Sequence, residues 1–334
     1  MYKFAIIGCG RIAYRHAEHI LRVGQLVAVC DIDKTKADAF AKQYDAKAFY
    51  SIDDLLKSSE HVDIVSVCTP NGFHAEHAIK SLQARKHVLC EKPMCITSVA
   101  AWQMADTAHF FRKKLFVVKQ NRFNPPIQLV KKDLEANKYG TIYSFQINCF
   151  WNRSQGYYTG DWRGTKELDG GTLYTQFSHF IDVLYWFLGD VEEVKGFKEN
   201  YTHHKHVEIE DTGVVTLKMK SGAIGTLNFT VNSYQHNQEG SFTLFGEKGS
   251  VKIGGQYLNT LEWYETETGE TPSLANPVPA NHYGHYQGSM SNHDKVYEAL
   301  VASLNSNGSN GSLLEARDAI KTIEIIEKIY KALE

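Results

Sequence analysis

Long apolar runs are missing from this 334-residue chain: none reaches the ~20 residues that a membrane-spanning helix needs. A surplus of one charge sign is missing too. The 36 Lys and Arg against 38 Asp and Glu leave a formal net charge of −2. No basic patch dominates, which argues against a nucleic-acid or membrane-surface partner. No Cys-x-x-Cys pair occurs among Cys9, Cys30, Cys68, Cys90, Cys95 and Cys149. Zinc and disulfides therefore give way to buried, reduced thiols of a cytosolic protein. The first residues, "MYKFAIIGCG", enter a strand without a charged region, apolar core and cleavage site, so a cytoplasmic location is expected. No internal repeat is visible.

What is present is an ordinary globular composition, 43% apolar and 22% charged. The length favours two domains, because single cores stop growing near ~250–300 residues. Up to about residue 122, strand-like and helix-like segments alternate. "YKFAIIG", "QLVAVCD", "AKAFYS", "VDIVSVCTP", "KHVLCEKP" and "LFVVKQNRF" read as strands. Between them, "RIAYRHAEHILRV" places Ile12, His16, Ile20 and Val23 near one helical face. Ser51 starts a further helix. Alternation of this kind predicts a doubly wound parallel sheet over residues 1–122.

From residue 123 the pattern changes. "NPPIQLVKKDLEANKYG" predicts one helix opened by prolines and closed by Gly140. Longer strand-like runs follow, separated by turn pairs such as Ser221–Gly222 and Lys248–Gly249. Residues 123–334 are therefore expected to form an α+β domain with a large open, mostly antiparallel sheet. One helix, "GGTLYTQFSHFIDVLYWFLG", interrupts the strands, and two helices joined by a flexible "NSNGSNGS" loop end the chain.

"AIIGCGRIA" sets Gly8, Gly10 and Ala13 in the G-x-G-x-x-A pattern between a strand and a helix. Gly8 permits the tight turn, Gly10 lets a pyrophosphate approach the backbone, and Ala13 allows close helix–strand packing. Arg11 and Ile12 open the helix, whose N-terminus favours an anion. Asp31 ends the second strand about 20 residues on, where a carboxylate holds ribose hydroxyls and repels a 2′-phosphate. The cofactor expected is NAD; the plain alternative is a structural Gly-rich turn. Thr69, Pro70 and Asn71 lie at the carboxyl edge of the next long strand, where open α/β folds bind ligands. His74 follows, either touching the cofactor or capping its helix. In "CEKPM", Glu91 and Lys92 stand at a strand rim and join the expected cofactor-binding set, and Pro93 restricts Lys92 to extended backbone angles. Lys92 is either a surface charge or an ammonium aimed at a fixed point.

"GCGRIA", "CTPNGFHAEHA" and "CEKP", in this order and spacing, resemble the Gfo/Idh/MocA family of nicotinamide-dependent sugar oxidoreductases. The resemblance implies a Rossmann domain followed by an α/β domain with an open sheet, with Lys92 facing substrate and nicotinamide. "FWNRSQGYYTGDWRGTKELDGGTLYTQFSHFIDVLYW" is similar to the WlbA- and WbpB-type subgroup, which oxidises the 3-hydroxyl of UDP-2-acetamido-2-deoxyglucuronate in lipopolysaccharide and O-antigen sugar synthesis. It further implies a nucleotide-sugar substrate, 2-oxoglutarate for cofactor recycling and a homotetramer. Many family members carry an aspartate four residues before the helix histidine; here Thr175 stands there, followed by Gln176.

Alcohol oxidation needs a base and a hydride acceptor. His179 suits the first role because its ordinary pKa lies near neutrality. A Lys92 cation would stabilise the developing alkoxide, and the order of proton handling is open. A diphosphate and a carboxylate call for cations, and Arg122, Arg153, Arg163 and Lys166 are candidates, each alternatively a surface charge. Asn121 is a polar contact for nicotinamide or sugar. Tyr157, Tyr158 and Trp162 are candidates to stack on the substrate, or simple packing. Thr175, Gln176 and His179 complete the expected substrate set. "THHKHVEIED" groups His203, His204 and His206 with Glu208, Glu210 and Asp211, and is taken as a solvated loop rather than a metal site. Hydride transfer of this type needs no metal. The competing functions are a dehydrogenase of a free sugar or inositol and a non-catalytic NAD and sugar sensor.

Overall fold

Three of the first six strands read as near-continuous apolar runs, and the computed structural model pairs all six in parallel. It describes every residue except 160–161, 204, 206, 270–271, 275–279, 283–286 and 307–313, which include His204, His206 and most of the expected "NSNGSNGS" loop. β1 (Tyr2–Ile7), β2 (Gly24–Cys30), β3 (Lys47–Phe49), β4 (Ile64–Val67), β5 (His87–Cys90) and β6 (Leu115–Val117) lie in the order β3-β2-β1-β4-β5-β6. β4 is buried along its whole length, as a strand covered on both faces must be. The helices between them are α1 (Arg11–Val23), α2 (Lys34–Tyr44), α3 (Ile52–Lys57), α4 (His74–Gln83) and α5 (Ser98–Phe110). Strand order reverses between β1 and β4, so the loops after these two strands flank the switch point where such sheets bind ligands.

This unit is not the contiguous 1–122 expected. Met1–Lys119 is joined by His293–Ile323. The returning helix α10 (His293–Asn305; α6 to α9 follow below) buries Val296, Tyr297 and Leu300 and packs on α1, whose own buried face is Ala13, His16, Ala17, His19 and Ile20. The helices were legible, but nothing local in the sequence says which unit a C-terminal helix covers. Leu314 accepts the Val117 amide, and Glu315 forms a bridge beside Phe116 on β6.

The second unit comprises Gln120–Asn292 and Glu324–Glu334. Its helices are α6 (Pro125–Glu135), α7 (Gln155–Tyr158), α8 (Thr172–Thr175) and α9 (Ser178–Leu188); α11 (Ala316–Ala332) ends the chain. Its sheet comprises β7 (Ile142–Phe150), β8 (Val191–Glu199), β9 (Thr212–Met219), β10 (Ile224–Thr230), β11 (Glu239–Gly246), β12 (Gly249–Gly254) and β13 (Thr260–Thr266), ordered β13-β12-β11-β7-β10-β9-β8. β7 and β10 pair in parallel and the other neighbours are antiparallel. β9 alternates buried and exposed residues, the mark of a sheet with one covered face. A separate hairpin pairs β14 (Ala280–His282) with β15 (Gln287–Met290).

Two expected helices are shorter than their sequence patterns. α6 ends at Glu135 rather than Gly140, because Asn137 adopts a left-handed φ of 54°. "GGTLYTQFSHFIDVLYWFLG" is divided into α8 and α9 at Gln176 and Phe177. All six cysteines are buried thiols, and burial pushes Cys9 and Cys30 up to about 12.

Candidate active site

In the first unit the Gly-rich turn is built as the cofactor pattern requires. Gly8 has φ +91°, and a Cβ there would lie 2.7 Å from the Cys68 carbonyl oxygen, so the turn after β1 passes the end of β4 only as a glycine. A Cβ on Gly10 would meet nothing within 4 Å, leaving open space beside the turn. Gly10 is the N-cap of α1, which carries neither a side-chain cap nor an acidic residue in its first turn. The dipole of this N-terminus favours an anion. Asp31 is tied to the same turn: Oδ2 accepts the Cys9 amide at 2.8 Å and Oδ1 the Asp33 amide at 2.9 Å. These residues fit NAD: Gly8, Gly10 and the start of α1, with Arg11 exposed and Ile12 half-buried, would hold the pyrophosphate, and Asp31 the adenosine ribose.

His74 neither caps α4 nor offers a free ring edge. It is 1% exposed, with Nδ1 2.7 Å from the Pro93 carbonyl oxygen and Nε2 2.8 Å from that of Thr69. It therefore ties the loop after β4, which contains Thr69, Pro70 and buried Asn71, to the loop after β5. Thr69 also pairs with His77 Nδ1 at 3.0 Å. Lys92 is half-buried at the end of β5, its peptide bond to Pro93 is cis, and its amide donates to Glu91 Oε2 at 2.9 Å.

In the second unit the break between α8 and α9 sets His179 in the first turn of α9, 4% exposed. The Gln120 side-chain amide nitrogen lies 3.1 Å from His179 Nε2. An amide NH₂ only donates, so Nε2 is held as an acceptor with its lone pair in place. The sequence reading passed over Gln120, although its neighbours Asn121 and Arg122 were chosen. Asn121 is buried at 2% exposure.

Arg122 is corrected. It is 1% exposed and bonds Asp182 through Nε at 2.7 Å and Nη2 at 2.8 Å, with Trp186 stacked 4.8 Å from its guanidinium carbon. Its charge is neutralised inside the unit, so it leaves the substrate set. Tyr158 leaves it too: it is 6% exposed and packs with Val207 and Ile209.

The other cations form an alternating stack. The Arg153 guanidinium lies 5.1 Å from the Trp151 ring and 5.4 Å from Tyr157, and Arg163 lies 4.9 Å from Tyr157 and 5.0 Å from Trp162. Arg153 is 3% exposed and donates to Gln176 Oε1 at 2.8 Å and Asn237 Oδ1 at 3.2 Å. Gln176 in turn donates to the Tyr157 hydroxyl at 2.8 Å. Arg163 and Trp162 are half-buried at the open end of this stack, and Lys166 is exposed. Thr175 donates to Asp169, whose other oxygen accepts the Gly164 amide at 2.8 Å. Burial pushes Asp169 up to about 6. This acid, in the quoted "DGG", was not singled out from the sequence.

The "THHKHVEIED" reading is corrected as well. His203, Glu210 and Asp211 are all buried. His203 faces the Arg153 carbonyl oxygen at 2.9 Å and Asp211 Oδ2 at 3.2 Å. Glu210 accepts the Thr172 amide at 2.9 Å and the Tyr330 hydroxyl at 2.5 Å, and burial pushes it up to about 7. Local polarity suggested solvent, but His203 and Glu210 are internal partners of Arg153 and Thr172, and Asp211 holds Thr202 and His203 of its own loop.

Comparison with known proteins gives the same two parts. Residues 2–118 match the oxidoreductase family with an NAD-binding Rossmann fold, and residues 127–252 match the GFO/IDH/MocA C-terminal domain. The chain is similar to the WlbA dehydrogenase of Bordetella pertussis, solved with NADH and UDP-GlcNAcA. Identity is 33%, coverage 99% of this chain and 96% of that one, and the TM-score 0.87. The corresponding Chromobacterium violaceum structure, solved with the same two ligands, gives 34%, 99%, 93% and 0.86. Glucose-6-phosphate 3-dehydrogenase of Bacillus subtilis is 33% identical over 192 residues, 56% of this chain, and the match spans about half of that enzyme, 54%.

Proposed function

The chain belongs to the Gfo/Idh/MocA family of NAD-dependent oxidoreductases, and from that premise we propose that it oxidises the 3-hydroxyl of UDP-2-acetamido-2-deoxyglucuronate to the 3-keto sugar. The observation that carries this reading is the full-length likeness, at 33–34% identity, to two dehydrogenases solved with NADH and UDP-GlcNAcA. When bound, NAD supplies the hydride acceptor. His179 takes the hydroxyl proton on Nε2, whose single lone pair meets the substrate hydroxyl in place of the Gln120 amide, and the Lys92 ammonium stabilises the alkoxide as the C–H bond breaks. Arg163, flanked by Tyr157 and Trp162, serves the diphosphate or carboxylate, since its planar fork suits bidentate anions. Asn121 and Gln176 shape the polar surroundings of the sugar.

On this reading the product feeds lipopolysaccharide or O-antigen sugar synthesis, and NADH is reoxidised by 2-oxoglutarate. The open face of the seven-stranded sheet, where Phe197 is 83% exposed and Trp263 57%, would be covered in a homotetramer. No helix among the described residues is long and apolar enough to cross a membrane.

The Bacillus relative supports a second reading, a hexose or hexose phosphate oxidised at the same carbon. Parallel incubations with NAD and UDP-2-acetamido-2-deoxyglucuronate, glucose 6-phosphate or glucose separate the two. Loss of two hydrogens by mass spectrometry only from the nucleotide sugar supports the proposal. Loss only from a hexose replaces it.

A further inference from the structure

Glu91 is a buried acid with three donors converging on it, all within the first unit. It is 5% exposed at the end of β5. Oε1 meets His16 Nε2 at 2.9 Å and His293 Nε2 at 3.3 Å, and Oε2 accepts the Lys92 amide at 2.9 Å. His16 Nδ1 lies 2.7 Å from the Tyr297 hydroxyl, which lies 3.0 Å from Ser66 Oγ. His16 is 0% exposed and His293 1%.

Proton counting gives this cluster a direction. Burial opposes ionisation of Glu91, but the hydrogen bonds it accepts from His16 and His293 outweigh it and hold the carboxyl well below its usual range, while burial lowers the pKa of His16. An ionised carboxylate only accepts, so both Nε2 atoms carry hydrogen. His16 Nδ1 is then the acceptor for Tyr297, and Tyr297 for Ser66. The two imidazoles fix one oxygen of Glu91, and the other oxygen fixes the backbone of Lys92. His293 is the first residue of the segment that returns to this unit, 202 positions after Glu91.

We propose that His293 is a positioning residue for the reaction: it orients Glu91, and through Glu91 the Lys92 backbone from which the ammonium is presented. This rests on the role of Lys92 in the proposed function. Two imidazoles and a carboxylate are also a metal-ligand set. The separations of 2.9 and 3.3 Å are, however, met by ring N–H donors alone.

The test compares full-length wild type with His293→Leu, which removes the donor, and His293→Gln, which restores one at similar reach. Tyr297→Phe, which frees His16 Nδ1, is the second probe should His293→Leu not fold. Hydrogen exchange of the Lys92 amide needs no substrate. In His293→Leu it should accelerate about tenfold, as expected for the loss of one hydrogen bond. The kcat for UDP-2-acetamido-2-deoxyglucuronate should fall about 10- to 100-fold with KM little changed, the cost of a misplaced group. His293→Gln should recover most of both, and Tyr297→Phe should show a milder loss of both. A folded His293→Leu, or a folded Tyr297→Phe in its place, with wild-type Lys92 exchange overturns the proposal. So does one equivalent of tightly bound divalent metal in purified wild type that is lost in His293→Gln. If wild type leaves that sugar unchanged, the substrate assignment fails, and Lys92 exchange alone decides the positioning.

Discussion

The Gln120 side-chain amide nitrogen lies 3.1 Å from His179 Nε2, so the imidazole is held with its lone pair on one defined nitrogen. Replacing His179 by Ala should lower kcat about 10²- to 10⁴-fold, the usual contribution of a general base. Gln120→Leu keeps the ring and removes the donor that fixes its tautomer. Its kcat should drop less, about tenfold, with the acidic limb of the pH–rate profile displaced. Identical profiles for wild type and Gln120→Leu would show that the contact is only packing.

Gly8 and Asp31 predict different losses of cofactor. Gly8→Ala places a methyl 2.7 Å from the Cys68 oxygen at φ +91°, so NAD binding should fail together with stability. Asp31→Ser keeps the fold and removes the carboxylate expected at the ribose. Calorimetric titration should show weaker NAD binding and a reduced preference over NADP. An unchanged NAD-to-NADP ratio would place the ribose elsewhere.

Arg122 and Arg163, both substrate candidates from the sequence, should behave oppositely. Arg122→Ala strands the buried Asp182 carboxylate and should cost about 3–5 kcal/mol in denaturant unfolding. Arg163→Ala should leave the unfolding midpoint nearly in place and raise KM for the nucleotide sugar about tenfold or more. Equal effects of the two on stability would remove Arg163 from the substrate surface.

Glu210 gives a pH prediction whose sign is fixed. Its folded pKa, about 7, lies above the ordinary 4.5. The folded state therefore binds the extra proton. That contribution is fully present below 4.5 and is lost as pH rises through 7. Glu210→Gln mimics the protonated acid and keeps an acceptor for Thr172 and Tyr330. It should raise the melting temperature relative to wild type at pH 8, by at most about 3 kcal/mol in stability, and make little difference at pH 5. A difference constant across that range would contradict the shifted titration.

The nucleotide-binding half was legible because its signals are local: buried strands, a Gly-rich turn and an acid at a fixed interval. The proposal for His179 and Lys92 comes from short quoted motifs. The contacts that commit residues elsewhere span long separations. Arg122 meets Asp182 sixty positions away, and Glu91 meets His293 two hundred and two away. Polarity alone misplaced His203, Glu210 and Asp211 in solvent, because a buried acid reads like an exposed one until its partners are known. The helix expected through "GGTLYTQFSHF" breaks after Thr175, and that break is what sets Gln176 and His179 in separate turns.

The most direct measurement follows one atom. UDP-2-acetamido-2-deoxyglucuronate carrying deuterium at C3 is incubated with the protein and NAD, and both the sugar and the reduced nucleotide are weighed by mass spectrometry. The account predicts NADH one mass unit heavier and a sugar that has lost the label with its hydroxyl proton. Deuterium retained on the sugar, with unlabelled nucleotide, would contradict it.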